Sequence, residues 1–175
     1  NNYTDTKANN FKTTTGLRAE FFDKTLRAVA DFTYSYRMNN ELKKRTVVPY
    51  STGPGIYETL GVPGTDDYLQ EYFSGTNYLA ANAYLEYENT FAKKHYFKAM
   101  AGYNYEQKHW KGVTSKRYDL MTPDTDAINL AMGESMSITS NESRWRLAGF
   151  MFRLNYSYDE RYLLEINGRY DGSSK

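Results

Sequence analysis

A strict alternation of apolar and polar residues near the end of the sequence constrains the chain most. Alternation with a period of two over this length predicts a half-buried β-strand, not a helix. The apolar residues occupy one face of that strand: Tyr162, Leu164, Ile166 and Tyr170. The polar residues occupy the other face: Glu165, Asn167, Arg169 and Asp171. A dry protein core does not accept unpaired full charges. The pattern therefore indicates a transmembrane strand with an apolar face toward lipid and a charged face toward a water-filled lumen.

The same alternation recurs upstream and predicts about six strands. We expect the others at 13–22, 26–38, 76–90, 97–118 and 143–158, with 1–12 as a loop or a ragged strand end. The apolar face of the second strand runs from Leu26 to Tyr36. Ten residues at ~3.3 Å each, tilted by about 45°, cover roughly 23 Å, close to the ~25 Å apolar band of outer-membrane barrels.

The predicted connections alternate in length. Short turns are expected at 23–24, 91–95 and 159–161, and long loops at about 49–75 and 120–141, with a short helix near 126–132. Short turns on one side and long loops on the other are typical of transmembrane barrels. The predicted fold class is therefore all-β, an antiparallel meander forming part of the wall of a large transmembrane β-barrel, with one partial barrel domain over 1–175.

Composition excludes several other classes of protein. No apolar run approaches the ~20 residues that a membrane-spanning helix needs. Lys and Arg number 22 against 21 Asp and Glu, so the net charge of +1 gives no electrostatic case for nucleic-acid binding. The chain has 18 Tyr and no Cys, which removes disulfide and thiol chemistry.

Catalytic and metal-binding patterns are weak. His95 and His109 lie fourteen residues apart, the first at the end of a predicted turn and the second in the strand that follows. A metal site needs more convergent ligands. Asp124-Thr125-Asp126 resembles the start of a calcium loop, but Ile128 and Asn129 occupy the positions where further ligands and a glycine are required. We therefore expect no enzyme activity, no metal and no cofactor.

Two sets of residues are candidates for binding. Aromatic side chains in the long loops and at the strand ends offer faces for stacking on sugars or for packing against a partner: Tyr50, Tyr57, Tyr68, Tyr72, Phe73, Trp110 and Tyr118. Charged side chains on the predicted inner faces are expected to line the lumen: Arg27, Asp31, Glu86, Lys98, Arg153 and Arg169.

The segments 161–165 (Arg-Tyr-Leu-Leu-Glu) and 167–174 (Asn-Gly-Arg-Tyr-Asp-Gly-Ser-Ser) resemble the barrel signature of the SusC/RagA family, and 16–22 resembles it more weakly. These are TonB-dependent outer-membrane transporters of Bacteroidetes. The resemblance implies import of oligosaccharides or peptides across the bacterial outer membrane, with a SusD-like surface lipoprotein as partner and TonB as the energy source.

The family barrel has about 22 strands and a plugged lumen. The resemblance therefore implies that the chain is an internal piece forming about a quarter of the wall. The rest of the transporter, including the plug and the segment that contacts TonB, is expected to lie outside these residues, and outer-membrane lipid is expected around the wall.

Two other functions compete with this prediction. A soluble or surface all-β carbohydrate-binding module predicts that the apolar faces meet in one dry core. A passive porin or adhesin barrel would share the alternation, but the Arg169–Ser174 segment favours the transporter family.

Overall fold

A computed structural model of the chain describes residues 2–121, 124 and 126–174. The strands are β1 (Tyr3–Phe21), β2 (Leu26–Arg45), β3 (Val48–Gly53), β4 (Ile56–Leu60), β5 (Tyr68–Phe91), β6 (His95–Tyr118), β7 (Met136–Tyr158) and β8 (Tyr162–Ser173). A 3-10 turn occupies Ile128–Leu130. Within these ranges, no helix is long and apolar enough to cross a membrane.

Six of these strands form one sheet in the order β1-β2-β5-β6-β7-β8. Neighbours in the sheet follow each other along the chain, apart from the insertion between β2 and β5, so the sheet is an antiparallel meander. The insertion is the hairpin of β3 and β4, which forms a two-stranded sheet of its own. The expected all-β meander is confirmed.

The strands are longer than the apolar alternation predicts. β1 begins at Tyr3, inside the range predicted as a loop or ragged end, and β2 continues to Arg45. The range 49–75 contains most of the β3–β4 hairpin and the start of β5, and β7 begins at Met136, inside the range 120–141. The helix expected near 126–132 is reduced to the 3-10 turn. β5 contains 24 residues, more than the ~9–11 that a transmembrane strand needs.

The described residues form two compact units. One contains the residues of 1–10, 37–76 and 110–143 that the structure describes, and we refer to it as the loop unit. The other contains those of 11–36, 77–109 and 144–175, and we refer to it as the turn unit.

In the turn unit, the register of β7 and β8 separates apolar from polar side chains. Phe150 lies opposite Tyr170 and Leu154 opposite Ile166, whereas Arg153 lies opposite Asn167. Directly opposed residues of an antiparallel pair point to the same side of the sheet. Apolar residues therefore share one face and polar residues share the other, as the sequence predicts.

The apolar face of the turn unit is not covered by a second layer. Phe32 is 44% exposed, Phe152 39% and Ile166 47%, and the buried hydrophobic residues among those described are Leu69 and Ala131, both in the loop unit. A sandwich would bury such side chains in a dry core, because each gains about 1.5–3 kcal/mol on full burial. The alternative of a soluble sandwich module does not fit this face.

Two-residue turns connect the strands of the turn unit at the positions predicted. Backbone hydrogen bonds close them from Thr25 N to Phe22 O (3.0 Å), from Lys94 N to Phe91 O (3.2 Å) and from Arg161 N to Tyr158 O (3.0 Å). The central residues have positive φ although none is glycine: Asp23, Lys24, Ala92, Lys93, Asp159 and Glu160. Positive φ at both central positions is the type I′ geometry that matches the twist of a hairpin.

Candidate functional site

A continuous charge network crosses β1, β2, β5 and β6 on the polar face of the turn unit. Arg27 contacts Glu20 (Nε to Oε1, 3.3 Å) and donates a hydrogen bond from Nη1 to Oε1 of Glu86. Lys98 Nζ lies 3.2 Å from a carboxylate oxygen of Glu86 and 3.2 Å from one of Glu88. Positive and negative groups therefore alternate across the strands, which offsets the desolvation of the half-buried Glu86 side chain.

Three of the predicted lumen residues, Arg27, Glu86 and Lys98, come together in this network. Arg153 and Arg169 belong to the polar residues of the β7–β8 pair, and each contacts a carboxylate of its own. Arg153 Nε is 3.8 Å from Glu165, and Arg169 Nε is 2.8 Å from Asp171. Assignment of the six residues to a lumen stays a prediction.

Asp31, the remaining predicted lumen residue, lies beside β1. A Cβ added at Gly16 would approach its carboxylate Oδ1 to 2.8 Å. Glycine at position 16 therefore leaves the space that the Asp31 side chain uses.

Several further residues of the polar face were not among the six predicted lumen residues. Glu20, Glu88 and Tyr96 belong to the network, the last through its hydroxyl, which donates to Glu88 (3.0 Å). Tyr78 donates to Glu106 in the same way (3.1 Å). The parity of these residues along their strands is the signal that places them on the polar face, and sequence alone does not say which opposite charges meet.

The predicted loop aromatics separate into three groups, all within the loop unit. Tyr50 and Tyr57 lie on the β3–β4 hairpin, where Tyr50 is directly opposite Glu58 and donates to its carboxylate (2.8 Å). This hydrogen bond raises the pKa of Tyr50. Tyr57 is 75% exposed. The hairpin therefore has one tyrosine held by a hydrogen bond and one that is accessible to solvent.

Tyr72 and Trp110 form the second group, around Gly112. A Cβ added at Gly112 would lie 2.8 Å from the Trp110 ring and 3.4 Å from that of Tyr72. The indole therefore lies against the strand backbone where position 112 has no side chain. The neighbouring Phe73 is 46% exposed and lines, with Tyr72, an open cavity of about 410 Å³.

Tyr68 and Tyr118 form the third group, and their rings meet edge to face with centroids 5.9 Å apart. The ammonium of Lys116 lies 3.8 Å from the centroid of Tyr68 and 4.4 Å from that of Tyr118. Lys43 approaches Tyr68 as well, at 5.9 Å. These distances are those of cation–π contacts, in which the negative face of the ring attracts the ammonium.

A polar cluster of Tyr3, Lys44 and Asp126, which we call the latch, connects the segment after β6 to the strands of the loop unit. Lys44 Nζ contacts Asp126 (2.8 Å), and Lys44 is only 2% exposed. The hydrogen bond from Tyr3 to Asp126 raises the pKa of Tyr3 to about 12, and Lys44 and then Tyr3 lower that of Asp126. The Asp67 side chain also accepts hydrogen bonds from the backbone of Gly64 and Leu120.

The structure provides no evident metal ligand set in the part of the chain that it describes. No group of three or more His, Cys, Asp or Glu side chains is placed to hold an ion there. Thr125 of the weak calcium-loop pattern lies outside the described residues, as do Thr122 and Pro123 of the loop, and the Asp126 carboxylate contacts Lys44.

Comparison with known proteins identifies the fold. No family model matches the chain. The chain matches the TonB-dependent receptor P26 of Formosa agariphila with 30% identity over 92 residues, which are 51% of this chain and 9% of that protein. It also matches the RagAB peptide importer in the closed-closed state with a TM-score of 0.80 and 14% identity, over 99% of this chain and 18% of that one.

The chain is similar to the SusC/RagA-type TonB-dependent transporters. Two further structures agree: the RagAB peptide transporter (TM-score 0.74, 14% identity) and the open-open state of the RagAB importer (0.70, 13%), each over 99% of this chain and 18% of that one. The predicted part of a large β-barrel wall is thereby confirmed as the fold.

This chain spans about a tenth of the curated relative and under a fifth of the solved SusC/RagA-type chains. Neither kind of relative is named as an enzyme, in agreement with the expectation that this chain is not one.

Proposed function

We propose that this chain forms part of the barrel wall of a TonB-dependent transporter in the bacterial outer membrane. The transporter would import oligosaccharides or peptides, with a SusD-like lipoprotein at the cell surface and TonB as the energy source. The apolar face of the turn unit would lie against lipid, with the predicted lumen residues facing a water-filled interior. The aromatic groups of the predicted long loops would contact the substrate or the partner.

The uncovered apolar face of the turn unit carries this proposal. Leu17 is 73% exposed, Leu85 55% and Phe150 50%, and all three line one shallow apolar surface. Exposure of such a surface to water is unfavourable by about 25 cal/mol per Å² of apolar area. Contact with hydrocarbon removes that cost, and sheets cross a bilayer only as closed barrels in which every strand edge is paired.

The polar face supports the same orientation. Its charges are arranged in ion pairs across neighbouring strands, as in Arg27–Glu86 and Lys98–Glu86. Charged side chains are costly on the lipid face of a barrel but are tolerated in the lumen. One face is therefore apolar and the other carries paired charges, as expected for a barrel wall between lipid and water.

The decisive experiment places arginine on each face of the full-length protein. Leu154→Arg and Ile166→Arg change two directly opposed residues of the apolar face. Asn155→Arg is the matched control on the polar face of the strand that carries Leu154, where it lies directly opposite Glu165. Arginine near the bilayer midplane costs about 2–4 kcal/mol. We expect either apolar-face change to reduce the folded protein in the outer membrane severalfold and the control to leave it unchanged.

Equal tolerance of arginine on both faces would overturn the membrane assignment. Uptake of labelled oligosaccharides or peptides then tests the transport function in cells that make the unmodified protein. Import that stops when TonB is removed supports an energised transporter, whereas import that continues supports a passive porin.

A further inference from the structure

Two lysine ammonium groups converge on one tyrosine ring in the loop unit. Lys116 Nζ lies 3.8 Å and Lys43 Nζ 5.9 Å from the centroid of Tyr68, and Lys116 also lies 4.4 Å from that of Tyr118. The three strands that supply these residues, β2, β5 and β6, are neighbours in the sheet. The cluster is therefore built by the fold and not by one flexible loop.

Neither lysine has an acidic partner in the described part of the chain, where no carboxylate lies within 4 Å of either ammonium. In the turn unit, by contrast, Arg27, Lys98 and Arg169 contact carboxylates. Aromatic faces hold the two ammonium groups in place without neutralising them. Each ammonium therefore keeps its positive charge and would attract an anionic group that approaches the ring.

We propose that Lys43, Lys116, Tyr68 and Tyr118 form a binding site for a carboxylate group of the imported ligand. The proposal rests on the function proposed above and narrows its substrate class to anionic ligands. The carboxylate belongs either to an acidic peptide or to a uronic-acid oligosaccharide, and both present the same chemistry to the lysines.

The rings of Tyr68 and Tyr118 support an anionic ligand over a neutral sugar. Stacking of a neutral sugar needs an open aromatic face, and Lys116 already lies over both rings.

Binding to the purified full-length protein in detergent tests the proposal with matched ligand pairs. One pair is a short peptide with a free C-terminal carboxylate and the same peptide amidated. The other is an oligouronate and a neutral oligosaccharide of the same length. A charge-assisted hydrogen bond is stronger than a neutral one, so we expect the anionic member of at least one pair to bind on the order of tenfold tighter in calorimetry.

Variants of the cluster assign that preference to these residues. Lys116→Met keeps an unbranched stem but removes the charge, and it should abolish the preference for the anionic ligand. Lys116→Arg should retain the preference, because a guanidinium also lies well over aromatic rings. Lys111→Met, an exposed position on the same strand, is the control and should bind like the unmodified protein.

Equal affinity for the charged and neutral members of both pairs would overturn the carboxylate site. So would an undiminished preference in Lys116→Met, provided that its unfolding midpoint matches that of the control. A positive peptide pair and a positive uronate pair each support the site and identify the source of the carboxylate. Failure here leaves the arginine test of the membrane wall unaffected, so the two proposals fail separately.

Discussion

Phe152 on β7 lies directly opposite Gly168 on β8, and its ring occupies the space that a side chain at position 168 would need. A Cβ added at Gly168 would lie 2.5 Å from Cε1 of Phe152. The glycine of the Asn167-Gly168-Arg169 segment is thus explained by an aromatic ring that covers the backbone of the neighbouring strand.

Substitution of this glycine should therefore destabilise the sheet. We expect Gly168→Ala to lower the free energy of unfolding by about 1–3 kcal/mol, because the ring must leave its position. Gly172→Ala is the matched control, since its added Cβ meets no atom closer than 3.9 Å. Denaturant unfolding of the full-length protein in detergent measures both. Addition of Phe152→Leu to Gly168→Ala should recover part of the loss, and no recovery would contradict the steric explanation.

Glu86 is shared by two cations. Its removal should therefore lower the free energy of unfolding more than the loss of an exposed ion pair does. Its side chain is 13% exposed and contacts both Arg27 and Lys98. We expect Glu86→Gln to destabilise the protein by about 1–3 kcal/mol, because two cations lose a partner. Asp171→Asn breaks the exposed pair with Arg169 and should cost less than about 1 kcal/mol. Similar unfolding midpoints for the two variants would argue against a cooperative network.

The latch of Tyr3, Lys44 and Asp126 should open at both extremes of pH. The folded-state pKa of Asp126 is lowered, so its contribution is present above the unfolded value near 4 and is lost as pH falls through the folded pKa. The pKa of Tyr3 is raised to about 12, so its contribution is present below about 10 and is lost as pH rises toward 12.

Hydrogen exchange of residues 126–133 measures this opening. We expect faster exchange at about pH 3 than at pH 7, after correction for the intrinsic rate. Asp126→Asn should speed exchange at pH 7 by up to severalfold and remove the acid dependence. The effect is small because the Asp126 side chain is 47% exposed. An unchanged acid dependence in Asp126→Asn would assign the transition to another group.

The tight turns should gain stability from glycine. Asp159 and Glu160 have φ of 49° and 55°, a region that costs an L-residue roughly 1–2 kcal/mol. We expect Glu160→Gly to raise the free energy of unfolding by about 1 kcal/mol, as in an Asp-Gly type I′ turn. Thr90→Gly, within β5, is the counterpart and should lower it by about 0.5–1 kcal/mol. A loss of stability in Glu160→Gly would mean that its side chain contributes more than the backbone geometry costs.

Alternation predicted the strands well wherever the two faces of the sheet meet different surroundings. Leu154 and Ile166 are opposed, as their parity requires. The first residues of β1 are polar at both parities, including Asn9 and Asn10, so no pattern separates a strand from a loop there. The start of β1 at Tyr3 therefore escaped prediction, whereas the end of β6 at Tyr118 agrees with the predicted range of 97–118.

The contacts of the loop unit join residues that are far apart in the sequence. Local sequence patterns therefore do not predict them. Lys44 and Asp126 are 82 positions apart, yet they meet at 2.8 Å. Lys43 and Lys116 likewise belong to strands separated by the whole of β5. The sequence identified Tyr68 and Tyr118 as candidates, but only the order of strands in the sheet shows that lysines cover them.

The β3–β4 hairpin is separate from the six-stranded sheet, and its connection at Gly53-Pro54-Gly55 bends through a positive φ at Gly55. An added Cβ at Gly55 would meet no atom within 4 Å. A short epitope tag placed between Pro54 and Gly55 should accordingly leave the six-stranded sheet folded. Antibody staining of intact cells would then reveal which end of the strands is displayed to the surroundings.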